Sequence, residues 1–400
     1  MLNQTIVFAP ATFNLAETTR MIEVAKELRT SCNCQFFGFS TTHAAWITRN
    51  GFPFTLLTPV LTKEQERQII ELDQMKGIKN SFTTELIAAR VKSELDFLQE
   101  QKPAAVITGT NVTIFLSARI AKIPLVYVKP YALSRPQLEN DAQTPVDSLM
   151  SKITWKPKAF RDVAKNYQLA LPKYSIELLD GDENLITTFR DFTSWQDYPA
   201  NYHNVGPIFA QLADALPPDL EATLKTAQQK QQPIVYFALG SSGNSKLARN
   251  ILTVLKAAKF LVVAPIKQYL SEEEIAVYQG TSIMITDLLP APLLAPYLSF
   301  SIIHGGEGTV QTACISGKPL IGYGLQQEQT MNLKYCEAYG NGIRLKAKPF
   351  SAKQLKQAIT DIQTEGYQEK ATKLAEDFHG DGAKKAAEFI KKQYLKKLVK

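Results

Sequence analysis

A histidine and three glycines occur together where the chain turns from a predicted strand into a predicted helix. The run His304-Gly305-Gly306-Glu307-Gly308-Thr309 directly follows the apolar residues 300–303. Glycine lets the backbone approach a ligand closely, and the N–H groups and dipole at the start of a helix attract negative charge. A strand-to-helix turn can also carry glycines for structural reasons alone. The pattern predicts an anion site, and a diphosphate is its expected occupant.

The elements that position this run belong to a repeating pattern. Short β-branched segments alternate with longer amphipathic segments, which is typical of a parallel sheet covered by helices. In the first half, strands are predicted at residues 5–9, 35–40, 54–57, 104–108, 125–128 and 184–187, and helices at 18–29, 63–101 and 114–121. The pattern restarts with strands at 233–239, 260–264, 282–286, 300–303 and 320–322, and helices at 246–258, 309–316, 329–339 and 352–364.

We therefore expect an α/β fold with two Rossmann-like, doubly wound domains and a cleft between them. The first domain is predicted to span residues 1–206 and the second residues 233–378. A linker rich in Ala, Gln and Pro joins them at residues 207–232, and a basic amphipathic helix is expected at residues 379–400. Ligands of such sheets bind beyond the carboxyl ends of the strands, so the active site is predicted to lie in the cleft.

The composition is that of a globular protein, with 45% hydrophobic and 21% charged residues in a chain of 400. No apolar run is long enough to cross a membrane, no secretory signal is evident, and the four cysteines have no zinc-site spacing. We expect a cytoplasmic protein. Residues 384–400 contain seven lysines and one glutamate, and the rest of the chain is close to neutral. The body of the chain has no basic face with interleaved aromatic residues, so a nucleic-acid partner is not expected.

Three further motifs follow the glycine run in a fixed order: Gly317-Lys318-Pro319, Glu328-Gln329-Thr330-Met331-Asn332 and Gly340-Asn341-Gly342. Upstream, Ala238-Leu239-Gly240-Ser241-Ser242 follows the first strand of the second domain. This series resembles the C-terminal signature of inverting glycosyltransferases with the two-domain GT-B fold. That family includes UDP-glucuronosyltransferases, plant UDP-glucosyltransferases and bacterial antibiotic glycosyltransferases, and the bacterial branch is the most similar. The resemblance is specific between Gly240 and Ile343 and weaker in the first domain.

The resemblance implies a role for each motif residue in binding a nucleotide-sugar donor. The diphosphate is expected to lie in the Gly305-Gly306 turn, held by His304 and the amides of Gly308 and Thr309, with Ser241 or Ser242 assisting. The backbone near Leu289 is expected to hold the nucleobase, and Glu328 and Gln329 to bind the sugar hydroxyls. A solvated helix start is the alternative reading of Glu328 and Gln329. No metal and no other cofactor is expected, because the helix N-terminus takes the leaving-group charge.

Three departures from the family pattern affect which donor is used. Glu328 stands where most members have Asp, so the family pattern does not predict which sugar this chain transfers. Thr312 stands where plant and animal members have an acid that binds the ribose, and Leu288 replaces a tryptophan that stacks on the base in many UDP-sugar enzymes. UDP-sugars and dTDP-sugars both remain candidate donors.

The family's proton acceptor is a histidine after the first strand, and Glu17 occupies that position here. Glu17 is a candidate general base if burial raises its pKa. An acid in the first turn of a helix also commonly stabilises the helix dipole without any catalytic role, and both interpretations of Glu17 stay open. The acid that orients the family's histidine is missing from Thr108-Gly109-Thr110-Asn111. Asn14, Thr110, Asn111 and Tyr131 are the expected acceptor-side residues.

Residues 129–171 contain many apolar and aromatic side chains and are a candidate wall for an apolar or lipid-like acceptor; a packed surface insertion is the alternative. The tail at Lys384–Lys400 is expected to return to the first domain, as in the family, and the sharper hypothesis is peripheral contact with the inner face of a membrane. The predicted activity is inverting transfer of a sugar from a nucleoside-diphosphate donor to an acceptor hydroxyl. The alternatives are a non-catalytic partner or regulatory subunit and, less favoured, a nucleotide-sugar epimerase.

Overall fold

A computed structural model describes residues 4–73, 82–132, 134–140, 149–192, 198–210, 215–240, 242–377 and 380–395. The chain divides into two compact units. The first unit is Met1–Ala210 together with Gly380–Lys400, and the second is Gln211–His379. Each unit contains a parallel sheet covered by helices, which confirms the predicted α/β class with two doubly wound sheets. Among the described residues, no helix combines the length and hydropathy that crossing a membrane requires.

The strands of the first unit are β1 (Thr5–Ala9), β2 (Asn33–Gly38), β3 (Phe54–Leu56), β4 (Ala105–Thr108), β5 (Leu125–Lys129), β6 (Glu183–Ile186) and β7 (Tyr202–Asn204). Within the described ranges they form one sheet in the order β3-β2-β1-β4-β5-β6-β7, and every neighbouring pair is parallel. The chain reverses its direction across the sheet between β1 and β4. Ligands of doubly wound sheets bind at this switch point, beyond the carboxyl ends of the strands.

The helices of this unit are α1 (Leu15–Leu28), α2 (Ala44–Arg49), α3 (Lys63–Asp73), α4 (Thr84–Gln101), α5 (Ile114–Ala121), α6 (Arg135–Asn140) and α7 (Lys158–Asn166). The helical stretch predicted over residues 63–101 contains two helices in the described ranges, and residues 74–81 lie outside those ranges. A new helix begins at Thr84, because Thr83 is extended and its side chain accepts a hydrogen bond from the Leu86 N–H at 3.2 Å. This N-cap satisfies a backbone donor that a helix start otherwise leaves unpaired.

The strands of the second unit are β8 (Ile234–Ala238), β9 (Leu261–Ala264), β10 (Ile283–Ile285), β11 (Phe300–Ile303), β12 (Leu320–Tyr323) and β13 (Gly342–Leu345). In the described part of the chain they form a parallel sheet in the order β10-β9-β8-β11-β12-β13. Its switch point lies between β8 and β11. The helices are α8 (Pro218–Gln229), α9 (Ser245–Lys256), α10 (Glu272–Ala276), α11 (Ala291–Leu294), α12 (Glu307–Ile315), α13 (Gln327–Tyr339), α14 (Ala352–Asp361) and α15 (Glu365–Glu376).

The C-terminal helix α16 (Gly382–Tyr394) is part of the core of the first unit. Ala386, Ala387 and Ile390 are buried in the same cluster as residues of α1, β1 and β4. A side chain at Gly382 would meet the Pro207 carbonyl oxygen at 2.1 Å, so close approach of the two backbones requires glycine there. The apolar stripe of this helix is therefore buried against its own unit.

Candidate functional site

The glycine run lies at the switch point of the second sheet. β11 ends at Ile303, Gly305 has a φ of +86°, and Gly306 is the N-cap of α12. The His304 ring packs against glycines on two loops: a Cβ added to Gly240 or to Gly306 would lie 2.5 or 2.4 Å from ring atoms. Both positions therefore need glycine to accommodate the imidazole.

His304 is 7% exposed, and its burial lowers the pKa of the imidazole to about 4. A hydrogen bond with the Ala238 backbone raises this pKa, but by less than burial lowers it. The ring is consequently neutral near pH 7 and can donate one N–H bond. Desolvation disfavours the protonated form of the His304 ring, whereas the negative charge of a bound anion would favour that form.

The first turn of α12 presents backbone donors at the same point. The Gly306 carbonyl accepts hydrogen bonds from the N–H groups of Thr309 and Val310, both at 3.0 Å, and from the Thr309 hydroxyl at 2.8 Å. The Thr309 N–H is thus already bonded within the turn, and the earlier amides, including that of Gly308, are the donors for which a helix start offers no intrahelical partner. Apart from the chain neighbours of Gly308 and the backbone of its own helix, no heavy atom lies within 4 Å of the position that a Cβ on Gly308 would take. This end of the helix is open, and it can accommodate a negatively charged group.

The first turn of α13 is tied to both glycine loops. Asn332 donates a hydrogen bond to the Gly305 carbonyl at 3.1 Å and another to the Glu328 carboxylate at 3.2 Å. Gln329 donates to the Ser242 hydroxyl at 2.7 Å and is 3% exposed. The predicted donor residues Ser242, His304, Glu328 and Gln329 are thus brought together by direct contacts or shared neighbours. Ser241 lies outside the described residues.

Two residues that shape the Gly240 loop were not found from the sequence. The Tyr269 hydroxyl donates to the Gly240 carbonyl and accepts a hydrogen bond from the Gly243 N–H at 3.1 Å, and Gln268 donates to the same carbonyl at 2.8 Å. They follow β9 in a segment without any motif, so the sequence carried no signal for them. Leu289, predicted near the nucleobase, is 7% exposed, whereas the neighbouring Leu288 is 64% exposed.

In the first unit, Glu17 lies in the first turn of α1 and is 7% exposed. Its carboxylate accepts hydrogen bonds from the Thr110 N–H at 2.8 Å and from the Thr110 hydroxyl. It also packs on Gly109, where an added Cβ would lie 2.5 Å from the carboxylate. Burial raises the pKa of Glu17, while the Thr110 hydrogen bonds and the charge of Arg20 act in the opposite direction. A carboxylate whose pKa is raised is a stronger proton acceptor than a free carboxylate, as a general base requires.

The other residues predicted for the acceptor side differ in accessibility. The Asn14 side chain caps α1 by accepting the Glu17 N–H at 3.3 Å, which fixes the start of the helix. Asn111 is 2% exposed and hydrogen-bonds to Arg90 and Glu94 in the interior. Tyr131 is fully buried, with its ring 5.2 Å from that of Tyr198. The Asn111 and Tyr131 side chains thus contribute to the interior in this structure, and their role in acceptor binding stays a prediction.

Known proteins resemble the chain in sequence. Residues 266–392 match the family of the erythromycin biosynthesis protein CIII-like C-terminal domain. A PGL/p-HBAD biosynthesis rhamnosyltransferase of Mycobacterium bovis (strain BCG / Pasteur 1173P2) is 25% identical over 310 residues, which cover 73% of this chain and 67% of that protein. A PGL/p-HBAD biosynthesis glycosyltransferase of Mycobacterium tuberculosis (strain ATCC 25177 / H37Ra) is 25% identical over 346 residues, covering 81% of this chain and 78% of that one.

Solved structures resemble the chain along nearly its whole length. The calicheamicin glycosyltransferase CalG4 matches with a TM-score of 0.70 at 15% identity, covering 100% of both chains. The glycosyltransferase VinC, solved in complex with dTDP, matches with a TM-score of 0.68 at 14% identity, covering 96% of this chain and 100% of that one. These likenesses confirm the predicted fold.

Proposed function

We propose that this chain, as a GT-B-fold glycosyltransferase, moves a sugar from a UDP-sugar or dTDP-sugar to a hydroxyl group. The proposed acceptor is small and apolar or lipid-like, and the transfer proceeds with inversion and without a metal. The family assignment rests on the sequence relatives, which are named rhamnosyl- and glycosyltransferases, and on the match over residues 266–392. The observation that carries the finer proposal is the open α12 N-terminus beside the buried, neutral His304.

In the proposed donor site, the diphosphate lies against the first turn of α12. The amides of Gly308 and Thr309 and the His304 ring donate hydrogen bonds to its oxygens, with Ser241 or Ser242 assisting. These donors stabilise the charge that develops when the bond between the sugar and the diphosphate breaks, so the reaction needs no metal ion. Glu328 and Gln329 then bind sugar hydroxyls from the first turn of α13.

In the proposed chemical step, Glu17 accepts the proton of the acceptor hydroxyl. The acceptor oxygen forms a bond to the anomeric carbon as the bond to the diphosphate oxygen breaks, and the diphosphate leaves with the electron pair. A single displacement of this kind inverts the anomeric centre. The buried position of Glu17 and its raised pKa support this role, because a base acts best when its pKa is close to the working pH.

Several features support the choice of substrates and contacts. The dTDP bound to VinC and the exposed Leu288, in place of a stacking tryptophan, keep dTDP-sugars beside UDP-sugars as candidates. The apolar residues of segment 129–171 favour an apolar acceptor. The terminal lysines can attract anionic lipid, but the apolar residues of α16 are buried, so we propose at most an electrostatic contact for the tail.

A donor screen tests the proposal. The purified protein is incubated with UDP-, dTDP- and GDP-sugars, with and without EDTA, while thermal stabilisation and the slow release of nucleoside diphosphate are measured. One UDP- or dTDP-sugar should raise the unfolding temperature and be hydrolysed slowly, equally well with EDTA. Stabilisation by none of the donors would leave a non-catalytic subunit as the better interpretation. Loss of turnover in EDTA would contradict the metal-free mechanism.

A further inference from the structure

Leu149 and Trp155 are the most exposed large apolar side chains in the described residues, at 65% and 66%. Ile153, at 38%, lies between them in the sequence. The Lys152 N–H donates to the Leu149 carbonyl at 3.0 Å, so the backbone turns between Leu149 and Ile153. Ile153 and Trp155 are two residues apart, outside any helix. We refer to Leu149, Ile153 and Trp155 as the apolar patch.

The backbone that carries the apolar patch is held in place. The Ser175 N–H donates to the Ile153 carbonyl at 2.7 Å, and the Lys156 ammonium donates to the carbonyls of Thr154 and Lys173 at 2.9 and 2.8 Å. The segment is thus anchored by its polar groups while its largest apolar side chains face solvent. Scattered exposed apolar residues are ordinary, but such a cluster, including a tryptophan, marks an interaction surface.

The surroundings of the apolar patch are strongly basic. From Leu149 to Lys173, with Lys173 included, the sequence has six lysine or arginine residues and one acid, Asp162. Asp162 forms an ion pair with Lys158 at 2.5 Å. Lys152, Arg161 and Lys165 are exposed around the patch and along α7. Glu85 of α4 also interacts electrostatically with Lys158 and Asp162. Two carboxylates cannot neutralise six cations, so this surface has a net positive charge.

We propose that the apolar patch and its surrounding cations dock this protein on an anionic lipid bilayer. Tryptophan favours the boundary between hydrocarbon and water, and lysine and arginine are attracted to anionic headgroups. Peripheral binding needs both apolar insertion and electrostatic attraction, and both are present here within one short segment. The C-terminal helix offers only electrostatic attraction, because its apolar residues are buried in the core of the first unit. The proposal does not depend on the reaction that the protein catalyses.

Vesicle sedimentation tests the docking surface. The full chain is mixed with vesicles of phosphatidylcholine alone or with phosphatidylglycerol, at low and at physiological salt. We expect binding only to the anionic vesicles. The double variant Leu149→Ser/Trp155→Ser should lower the partition coefficient by at least about tenfold. Lys152→Glu/Lys165→Glu should lower it similarly and reduce its salt dependence. On binding, the tryptophan emission of the wild type should shift to shorter wavelength, and Trp155→Phe should lose this shift but still bind.

Matched controls come from other exposed positions. Val277→Ser and Lys353→Glu/Lys356→Glu alter exposed residues of the second unit and should bind vesicles like the wild type. A chain ending at Leu395, which lacks the last three lysines, should also retain most of its binding. The proposal is overturned if the wild type stays in the supernatant with anionic vesicles at low salt, if the patch variants bind as well as the wild type, or if shortening the tail alone abolishes binding. Unchanged thermal unfolding of each variant excludes misfolding as the cause.

Discussion

Glu17 and Thr110 form a two-point contact between the first turn of α1 and the loop after β4. The carboxylate accepts the Thr110 backbone N–H at 2.8 Å and also the Thr110 hydroxyl. The two residues are 93 positions apart, but β1 and β4 are neighbours at the switch point, so the loops after these strands meet. Thr110 is a neutral partner, which orients the carboxylate without adding a second charge. Glu17 is therefore held in one position while burial keeps its pKa raised.

Replacing Glu17 by Gln should separate donor binding from transfer. Glutamine has the same shape and can both accept the Thr110 N–H and donate to the Thr110 hydroxyl, but it cannot take up a proton. General-base catalysis contributes about 10²–10⁴-fold, so kcat should fall by roughly this factor. The affinity for the donor, measured by calorimetry, should change less than about twofold, because the donor residues lie in the other unit. A variant with normal turnover would remove Glu17 from the mechanism.

The same substitution should change how stability depends on pH. The pKa of Glu17 is higher in the folded protein than in the unfolded chain, where it is about 4.3. At a pH below about 4.3 the carboxyl group is protonated in both states and burying it does not cost stability. The protein loses stability as the pH rises from there through the raised pKa of the folded state. Glu17→Gln removes this loss, so its free energy of unfolding should exceed that of the wild type increasingly as the pH rises above the unfolded-state pKa, and the difference should level off above the raised pKa. Urea unfolding of both proteins across this range measures the difference. A difference that is independent of pH would show that the charge of Glu17 is not the cause.

Removing the Thr110 hydroxyl should shift the pH dependence of catalysis. The hydroxyl hydrogen bond lowers the pKa of Glu17, so Thr110→Val should raise that pKa further and move the acidic limb of kcat/KM to higher pH. Loss of orientation should also reduce kcat by about tenfold. Thr110→Ser keeps the hydroxyl and is the matched control. If the valine variant keeps the wild-type pH profile while only its stability falls, Thr110 has a purely structural role.

The described strands in the interior of the two sheets were all predicted, and so were the edge strands β3 and β10. β8 and β11 are entirely buried and, apart from Ser301, consist of apolar residues, as parallel strands do. β7 and β13 were missed, and both lie at an edge of their sheet, where Tyr202–Asn204 and Gly342–Leu345 include polar residues. An edge strand is covered on fewer sides, so it needs fewer apolar residues and leaves a weaker pattern.

The residues of the site also differ in how far the sequence could predict their contacts. His304, the glycines and the first turn of α13 belong to motifs that are local in sequence, and the structure connects them by direct contacts. The Thr110 partner of Glu17 could not be predicted, because the contact depends on which strands are neighbours. The contact of Tyr269 with the Gly240 carbonyl, 29 residues away, likewise depends on tertiary packing. Sequence motifs thus indicated the segments that form the proposed anion site, but not the residues that hold its loops.

Two glycine substitutions should distinguish the packing of the anion site from its function. At Gly308 an added Cβ meets open space in a helical position, so Gly308→Ala should leave stability unchanged or raise it by about 0.5–1 kcal/mol. At Gly306 an added Cβ would lie 2.4 Å from the His304 ring, so Gly306→Ala should lower stability. Both variants should weaken donor binding, the first because the methyl group enters the space proposed for the diphosphate. Thermal unfolding and donor titration test both effects, and a Gly308→Ala variant with normal donor affinity would place the diphosphate elsewhere.

The charge of Glu328 should affect the choice of sugar more than the choice of nucleotide. Its carboxylate accepts a hydrogen bond from Asn332 at 3.2 Å, and glutamine can still provide this acceptor oxygen. Glu328→Gln should therefore keep the fold and the affinity for free nucleoside diphosphate. It should lower kcat/KM for the preferred sugar by about 10–100-fold, since a hydrogen bond to a charged group contributes about 1.5–3 kcal/mol. Competition between donors that share a nucleotide but differ in the sugar measures this loss. Asn332→Ala is the structural control: it also breaks the bond to the Gly305 carbonyl and should reduce stability and diphosphate affinity together. If Glu328→Gln reduces the affinity for free diphosphate as strongly as for the sugar donor, Glu328 supports the glycine loop and does not bind the sugar.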